Sequence, residues 1–322
     1  MLYCKLLFWE IKMFEKVIEK IKQYDTVIIH RHKNPDGDAY GCQIGLKNLI
    51  IDNYPEKKVY AVGDSSRRFA FMEGSVMDEV SDETYAGALA FVLDTSASAL
   101  ISDERYKTAA DTVRIDHHIF CENICATEVT DTSYESCCGL ITELAAEAGW
   151  KIGTLAAKSL YTGMVTDSGR FRYDSTSSNT HRLASILMQT KFDTSDIYSN
   201  LYADDFEFIR LRASFVLKIN LTDAGVAYIY TTKEEADSYG VDTFTISRGM
   251  VNTMGEIRGI NTWVNFTESD EGVLVEIRSS KHNINPIAVK YGGGGHAKAS
   301  GATVKDKGEA MRLLEDLKAL NM

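Results

Sequence analysis

Short apolar runs alternate with helical patterns through the first half of the chain. Residues 26–29 are apolar and β-branched, as in a buried parallel strand, and residues 59–62, 88–93 and 113–115 form similar runs. From 140 to 148, apolar residues recur at the spacing of a helix with one buried face. This alternation predicts an α/β fold, with a largely parallel N-terminal sheet that carries helices on both faces.

The pattern changes near Gly225. Residues 226–230, 260–268 and 273–279 are predicted strands, the last two joined by a hairpin turn, and a final helix is predicted over 307–320. The helical patterns before this point predict a connector. We therefore expect an N-terminal domain at 13–190, a helical connector at 191–224 and a smaller C-terminal α/β domain at 225–322.

The first residues of the chain form an apolar segment at 1–9. This segment is too short to span a membrane, and it lacks the cleavage site of a signal peptide. Met13 is an alternative start, and residues 14–23 then form an amphipathic first helix.

Composition narrows the range of partners. The chain has 322 residues, of which 44% are hydrophobic and 25% charged, as in ordinary globular proteins. Its formal net charge of −11 argues against binding of duplex nucleic acid, whereas a short or mononucleotide ligand held by a few local cations is compatible with it. The cysteines form no pair of CxxC units, so we expect reduced thiols in a cytoplasmic protein, without a structural zinc site or a membrane partner.

The segment from His30 to Gly41 carries the first candidate chemistry. Asp36 and Asp38 are separated by one glycine where the first strand gives way to a helix, and His32 precedes them. Carboxylates at such a sheet edge repel each other unless a cation lies between them, and this ligand set suits manganese or zinc. The alternative is an ordinary polar loop in which Asp38 caps the following helix.

Other predicted strands and helices also end in acidic or imidazole side chains. These residues are Asp94, Asp116, His117, His118 and Asp167. Because the ends of parallel strands lie along one edge of the sheet, we expect them to converge with His32, Asp36 and Asp38.

In this order, the motifs resemble those of the DHH phosphoesterases. The matching segments are His32-x-x-Pro-Asp36-x-Asp38-Ala-x-Gly41, Asp94-Thr-Ser, Asp116-His117-His118 and Thr166-Asp167-Ser-Gly-Arg170-Phe. Near the end, Gly292-Gly-Gly-Gly-His296-Ala-Lys-Ala-Ser300-Gly-Ala302 resembles the glycine-rich signature of the DHH-associated domain. The chain is most similar to the branch of oligoribonucleases and pAp phosphatases known as nanoRNases. Cys42 stands where that family usually has serine.

The resemblance implies a centre of two divalent metal ions, usually Mn²⁺. The implied ligands are His32, Asp36 and Asp94 for one ion, and Asp38, Asp94, His117 and Asp167 for the other, with Asp94 bridging. His118 would face the phosphate as a proton donor or hydrogen-bond partner, and Asp116 would orient a histidine. Such a pair of ions activates water for attack on phosphorus and neutralises charge as the leaving oxygen departs.

The glycine run near the end of the chain would let backbone N–H groups approach a phosphate or a base. The residues expected to bind substrate are Arg278, Ser279, Gly293, Gly294, Gly295, His296, Ser300 and, in the first domain, Arg170. The resemblance also implies that the second domain closes over the metals of the first, so that the depth of the cleft selects short chains.

The expected activity is hydrolysis of short oligoribonucleotides to mononucleotides and of pAp to AMP and phosphate. Short single-stranded RNA and pAp are therefore the expected partners. Alternatives are a phosphodiesterase for cyclic dinucleotides or linear pApA, an inorganic pyrophosphatase, and a non-catalytic nucleotide-binding protein. Loss of a metal ligand would mark the last alternative, and the sequence retains all the proposed ligands. The oligomeric state stays open, a homodimer included.

Overall fold

The computed structural model describes residues 13–322, so the predictions for residues 1–9 lie outside the described part. The chain divides between Ala203 and Asp204 into two compact units. This division falls inside the predicted connector, so the connector is shared between the two units.

The first unit is built from parallel strands and intervening helices. Its strands are β1 (Thr26–Arg31), β2 (Lys58–Ala61), β3 (Leu89–Leu93), β4 (Asp111–Asp116) and β5 (Thr127–Thr130). Its helices are α1 (Glu15–Gln23), α2 (Gly37–Asn53), α3 (Asp82–Tyr85), α4 (Cys137–Ala148), α5 (Thr154–Asp167), α6 (Ser178–Met188) and α7 (Thr194–Tyr202). Short 3₁₀ segments cover Arg67–Phe69, Ser98–Leu100 and Glu104–Thr108.

The strand order of this sheet is β2-β1-β3-β4-β5, and every neighbouring pair is parallel. The predicted parallel sheet is therefore confirmed. The order reverses between β1 and β3, which is the switch point where open α/β sheets bind ligands beyond the carboxyl ends of their strands.

Helical segments cover both faces of the sheet, as predicted, but unequally. The long helices pack on one face, where Val27, Ile29 and Phe91 enter the main core with apolar side chains of α1, α2, α4 and α5. On the other face, Ile28 packs with Tyr85 of the short helix α3. Alternate residues of one strand thus enter different cores, because successive side chains point to opposite faces.

Glycines allow α2 and α5 to pack closely against each other. A Cβ atom at Gly41 would lie 2.6 Å from the carbonyl oxygen of Ser159, and one at Gly45 would lie 2.6 Å from the Leu160 side chain. Because residues four apart share one face of a helix, the two glycines form a single smooth contact surface. This contact brings the first turn of α2 close to the end of α5.

The second unit contains a mixed sheet. Its strands are β6 (Asn220–Leu221), β7 (Val226–Thr231), β8 (Thr262–Ser269), β9 (Gly272–Ser279), β10 (Gly294–Gly295) and β11 (Ala299–Val304). Its helices are α8 (Phe206–Leu217), α9 (Lys233–Ser238), α10 (Asn285–Lys290) and α11 (Lys307–Asn321), with a π-helical segment at Thr245–Gly249 and a 3₁₀ segment at Val251–Met254.

The strand order in the second unit is β10-β11-β9-β8-β7-β6. Only β7 and β8 pair in parallel, and the predicted hairpin is present as the antiparallel pair of β8 and β9. The predicted C-terminal α/β domain is therefore confirmed. Within residues 13–322, none of the helices has the length and apolar character needed to cross a membrane.

Candidate metal centre

The carboxyl edge of the first sheet positions most of the candidate side chains. His32 follows β1, Asp94 follows β3, and Asp116 is the last residue of β4, directly before His117 and His118. Since β1, β3 and β4 are neighbours in that order, these ends lie side by side.

Helices α2 and α5 supply the remaining carboxylates. Asp36 is the N-cap of α2, and its Oδ1 atom accepts the backbone N–H groups of Asp38 and Ala39, each at 3.0 Å. The alternative in which Asp38 caps this helix is therefore wrong. Asp167 is the last residue of α5, so the glycine contact between the two helices brings it towards Asp38.

The candidate ligand atoms approach one another in overlapping groups. Nε2 of His32 lies 3.5 Å from Asp94 Oδ2 and 3.9 Å from Asp36 Oδ1. Nε2 of His117 lies 3.5 Å from Asp94 Oδ1, 3.4 Å from Asp167 Oδ2 and 3.8 Å from Asp38 Oδ2. Ligands about 2.1 Å from a shared ion are separated by roughly 3 to 3.5 Å, so most of these distances leave room for an ion between them.

Among residues 13–322, three groups of side chains could each hold a metal ion, since the ligand atoms of each group lie within 4.8 Å of one another. The groups are His32, Asp36 and Asp94; Asp38, His117 and Asp167; and Asp94, His117 and His118. Asp94 and His117 each belong to more than one group. The chemistry of these donors, hard carboxylate oxygens with imidazole nitrogens, suits ions such as Mn²⁺ and Zn²⁺.

Two buried atoms of the proposed ligand side chains have no hydrogen-bond partner in the described part of the chain. They are Oδ1 of Asp94 and Nε2 of His117, 3.5 Å apart. Buried polar atoms are usually hydrogen-bonded, and each exception needs a reason. A cation that both atoms ligate would satisfy them, so these residues fit a metal ion.

Asp94 also has an unusual backbone conformation. Its φ angle is 51°, in the left-handed region, where side chains other than glycine, asparagine and aspartate are strained. Its N–H group donates to the carbonyl oxygen of Ile115 at 3.1 Å, which links the ends of β3 and β4. Rarely populated backbone conformations of this kind often occur at functional sites, where the surrounding structure holds them in place.

Asp116 contacts His118 directly. Its Oδ1 atom lies 2.7 Å from Nδ1 of His118, and Nδ1 also lies 3.6 Å from Asp94 Oδ1. The hydrogen bond with Asp116 is the main cause of a raised pKa at His118, whose side chain is 46% exposed. Asp116 therefore orients His118 and favours its protonated form.

Opposing charges dominate the electrostatics of the centre. Burial alone would lower the pKa of His32 and His117, but the nearby carboxylates, Asp94 first among them, outweigh burial and raise these pKa values to about 9 and about 10. Burial and the charge of Asp94 raise the pKa of Asp38 to about 7. Without a metal, the centre thus attracts protons, which metal ions displace on binding.

The candidate substrate-binding residues of the second unit lie on neighbouring strands. Gly294 and Gly295 form β10, which pairs with β11, and Ala299 of β11 pairs with Arg278 of β9. The pairing of these strands therefore brings the candidate residues of this unit close together. They are Arg278, Gly293, Gly294, Gly295, His296 and Ser300. Gly295 has a φ of 130°, which requires glycine.

The two serines that were predicted to bind substrate, Ser279 and Ser300, form hydrogen bonds to the backbone of the second unit. Ser279 Oγ donates to the carbonyl oxygen of Asn261 at 2.8 Å, and Ser300 Oγ donates to that of His296 at 2.7 Å. Both side chains are nearly buried. The Ser300 hydroxyl thus holds the backbone next to the glycines, and the Ser279 hydroxyl joins the end of β9 to the residue before β8.

Arg170 lies in a left-handed turn after α5. Gly169, Arg170 and Phe171 all have positive φ angles, between 56° and 65°. The exposed guanidinium group of Arg170 lies 4.6 Å from the ring centroid of Tyr202, so Arg170 packs on an aromatic face in the first unit.

The second unit also has a cleft beside the glycines at 292–295, which was not predicted from the sequence. The cleft has a volume of about 460 Å³, and its lining includes Phe244, Ser247, Glu276, Gly293 and Gly301. Phe244 and Ser247 lie at the π-helical segment, a geometry that hydrophobic periodicity does not reveal. The exposure of Phe244 marks this cleft in the structure, and the sequence gives no sign of it.

Comparison with known proteins places the chain in a family. The model of the DHH family, N-terminal domain, matches residues 26–164, and the DHHA1 domain matches residues 228–321. The chain belongs to the DHH family, and the resemblance found in the sequence is confirmed.

Within this family, the chain is similar over nearly its whole length to several individual proteins. The chain is 38% identical over 311 residues to the Bacillus subtilis bifunctional oligoribonuclease and PAP phosphatase NrnA, covering 96% of this chain and 98% of that protein. It is 33% identical over 308 residues to the probable NrnA of Streptococcus mutans, covering 95% and 98% of the two chains. A solved structure of an exopolyphosphatase-related protein from Bacteroides fragilis matches with a TM-score of 0.82 at 25% identity, covering 95% of each chain.

Proposed function

We propose that this chain is a metal-dependent phosphoesterase that hydrolyses short oligoribonucleotides to mononucleotides and pAp to AMP and phosphate. The observation that carries the proposal is the convergence of carboxylates and imidazoles around Asp94 at the carboxyl edge of the first sheet. The full-length similarity to proteins named as oligoribonucleases and PAP phosphatases supports the choice of substrates.

The proposed cofactor is a pair of Mn²⁺ ions. His32, Asp36 and Asp94 would hold one ion, and Asp38, Asp94, His117 and Asp167 would hold the other. The buried atoms of Asp94 and His117 that have no hydrogen-bond partner support the proposal that Asp94 is a ligand of both ions. When bound, the ions would supply an activated water and positive charge next to the phosphate.

His118 is the proposed proton donor. Asp116 occupies Nδ1 of the imidazole, which leaves Nε2 to reach a phosphate oxygen or the leaving oxygen. The hydrogen bond with Asp116 raises the pKa of His118, which favours the protonated ring that a proton donor needs. The Nε2–H group would donate its proton to the leaving oxygen as the bond between that oxygen and phosphorus breaks. This donation would prevent the build-up of an alkoxide.

The second unit is proposed to bind the nucleotide. Backbone groups of Gly294 and Gly295 would contact phosphate, with Arg278 and His296 as nearby cationic or donor groups. The N–H group of Gly293 donates to the carbonyl oxygen of Ala288 at 2.9 Å, so Gly293 would contribute by lining the cleft without a side chain. The hydroxyl groups of Ser279 and Ser300 would hold the neighbouring backbone. Arg170 is the proposed phosphate contact in the first unit. The formal net charge of −11 favours a short single-stranded ligand over duplex nucleic acid. A reducing compartment such as the cytoplasm suits the free thiols of Cys42, Cys137 and Cys138.

The test is an assay of the purified protein with four substrates: pAp, a two-nucleotide RNA, pApA and cyclic di-AMP. Each is assayed with Mn²⁺ and with a chelator. We expect AMP and phosphate from pAp and mononucleotides from the RNA, with Mn²⁺ only. Turnover of pApA or cyclic di-AMP without turnover of pAp and of the other two-nucleotide RNA would identify a dinucleotide phosphodiesterase instead. Tight binding without turnover would identify a non-catalytic protein.

A further inference from the structure

A fully buried arginine lies directly before the first candidate metal ligand. Arg31 is the last residue of β1, and its side chain has no solvent exposure. Its Nε group donates to Oε1 of Gln43 at 2.9 Å, and its guanidinium carbon lies 4.5 Å from the ring centroid of Tyr40. Burying such a charge is unfavourable unless it is paired and hydrogen-bonded, so the arrangement needs a reason.

The guanidinium group links two loops. Nη1 of Arg31 donates to the carbonyl oxygen of His32 at 3.1 Å and to Oδ1 of Asp64 at 3.1 Å. Nη2 donates to the carbonyl oxygen of Asp64. Arg31 thus joins the backbone of a candidate metal ligand to the loop that follows β2.

The second carboxylate oxygen of Asp64 contacts the loop at residues 32–36, which we call the metal-binding loop. Its Oδ2 atom accepts the backbone N–H of Asn34 at 3.0 Å. Asn34 lies midway between His32 and Asp36, and its φ of 54° is left-handed. Arg31 and Asp64 therefore hold this loop at two backbone positions, the carbonyl of His32 and the N–H of Asn34.

The loop around Asp64 is itself anchored to α2. The N–H group of Ser66 donates to the hydroxyl oxygen of Tyr40 at 2.8 Å, and the ring of Tyr40 lies against Arg31. On its other side, the metal-binding loop is bound through Lys33, whose N–H donates to the carbonyl oxygen of Leu100 at 2.7 Å. The loop is thus restrained from both sides.

We propose that Arg31 and Asp64 are positioning residues that set the geometry of His32 and Asp36 for the metal ion. This inference rests on the metal centre of the proposed function. Neither residue belongs to the proposed ligand set. Their effect follows from pre-organisation: a loop already held in its binding geometry loses less conformational freedom when the ion binds. Groups that orient metal ligands typically change metal affinity by about 10- to 100-fold when removed.

Asp64→Asn tests the proposal with little change in shape. The side chain is 40% exposed, and the amide oxygen can still accept from Arg31, whereas the NH₂ group cannot accept from Asn34. Asp64→Ala removes both side-chain links, to Arg31 Nη1 and to the Asn34 N–H, and keeps the backbone carbonyl that accepts from Arg31 Nη2. Mn²⁺ is titrated into the substrate-free protein, and the free ion is followed by electron paramagnetic resonance, so the readout does not depend on turnover.

Asp78→Asn is the matched control. Asp78 is also a partly exposed carboxylate that pairs with a cation, Lys47, and accepts a backbone N–H, that of Ala61 at 2.7 Å. Lys47 and Ala61 both lie outside the metal-binding loop. Thermal melting of each variant measures how much stability its substitution removes. A general loss of stability can then be separated from weaker Mn²⁺ binding.

We expect Asp64→Asn to weaken Mn²⁺ binding about tenfold and Asp64→Ala to weaken it further, with the affinity of Asp78→Asn unchanged. Saturating Mn²⁺ should restore turnover of pAp in Asp64→Asn. Unchanged affinity in both Asp64 variants overturns the proposal, and so does an equal loss in Asp78→Asn. If the wild-type protein binds no Mn²⁺, the metal centre itself is wrong and this inference falls with it. If the wild-type protein binds Mn²⁺ and the Asp64 variants bind it equally well, the positioning role is wrong but the metal centre of the proposed function is not contradicted.

Discussion

The carboxylate of Asp38 accepts the backbone N–H of Cys137 at 2.7 Å, across ninety-nine residues of sequence. Its other oxygen accepts the N–H of Cys138 at 2.9 Å. Both groups belong to the first turn of α4, where free N–H groups and the helix dipole favour an anion. A fully buried carboxylate is thereby held as an acceptor beside His117, although burial and the charge of Asp94 raise the pKa of Asp38 to about 7.

Asp38→Asn should separate these two roles of the carboxylate. The amide oxygen can accept one N–H of α4, while the NH₂ group faces the other, which costs about 1–3 kcal/mol for a buried unsatisfied group. The loss of a proposed ligand should reduce kcat/KM for pAp by more than about 100-fold, beyond the usual effect of residues that only orient ligands. Urea unfolding and steady-state kinetics measure the two effects.

Glu135→Gln is the control for Asp38→Asn. Glu135 is also a buried carboxylate, and its oxygens accept from Ser136 at 2.9 Å and Thr180 at 2.7 Å, outside the proposed ligand set. We expect it to lose stability without a comparable loss of kcat/KM at 25 °C. Similar kinetic losses in both variants would show that any buried carboxylate of this region matters equally.

Local sequence patterns were sufficient to predict most of this fold. The apolar runs before His32 and Asp94 are buried strands, as expected, because a strand covered on both faces is apolar throughout. The pattern failed at β5, Thr127–Thr130, a half-buried edge strand without an apolar run. It also failed at β10 and β11, where glycines pair through backbone groups that carry no sequence signal.

The types of candidate ligands could be predicted, but their supporting contacts could not. Strand ends identify Asp94 and His117, because topology brings such ends to one edge. The amides that hold Asp38 come from a distant helix, and the bond between Asp64 and Asn34 depends on two loop conformations. These contacts are specified by tertiary packing, which spacing along the chain does not encode.

Asp94 should tolerate asparagine better than alanine in stability, although neither variant should be active. Asparagine adopts the left-handed conformation readily, whereas alanine at a φ of 51° costs about 1–2 kcal/mol. Both substitutions remove the carboxylate oxygen that faces His117. We expect Asp94→Asn to melt close to the wild type and Asp94→Ala to melt lower, with Mn²⁺ binding weakened in both. Wild-type Mn²⁺ affinity in either variant would contradict a bridging role for Asp94.

Gly41→Ala should destabilise the protein through the contact between α2 and α5. A Cβ atom at Gly41 would lie 2.6 Å from the Ser159 carbonyl oxygen and 3.1 Å from the Gly163 backbone nitrogen, and neither backbone atom can move independently. Overpacking of this kind costs about 1–3 kcal/mol. Gly87→Ala is the control, since its Cβ atom would meet nothing within 4 Å and its φ is not left-handed. Urea unfolding should show a loss for Gly41→Ala and no loss for Gly87→Ala.

His30 should make folding stability depend on pH. Burial between the rings of Tyr85 and Tyr106 lowers the pKa of His30 from 6.5 to about 4. The unfolded chain therefore binds the extra proton first, and stability falls as the pH drops below 6.5, by about 3 kcal/mol at pH 4 from this group. His30→Phe keeps a ring and removes the titration, so its unfolding free energy should fall less between pH 7 and 4.5. Parallel pH curves for the two proteins would show that His30 is not buried in its neutral form.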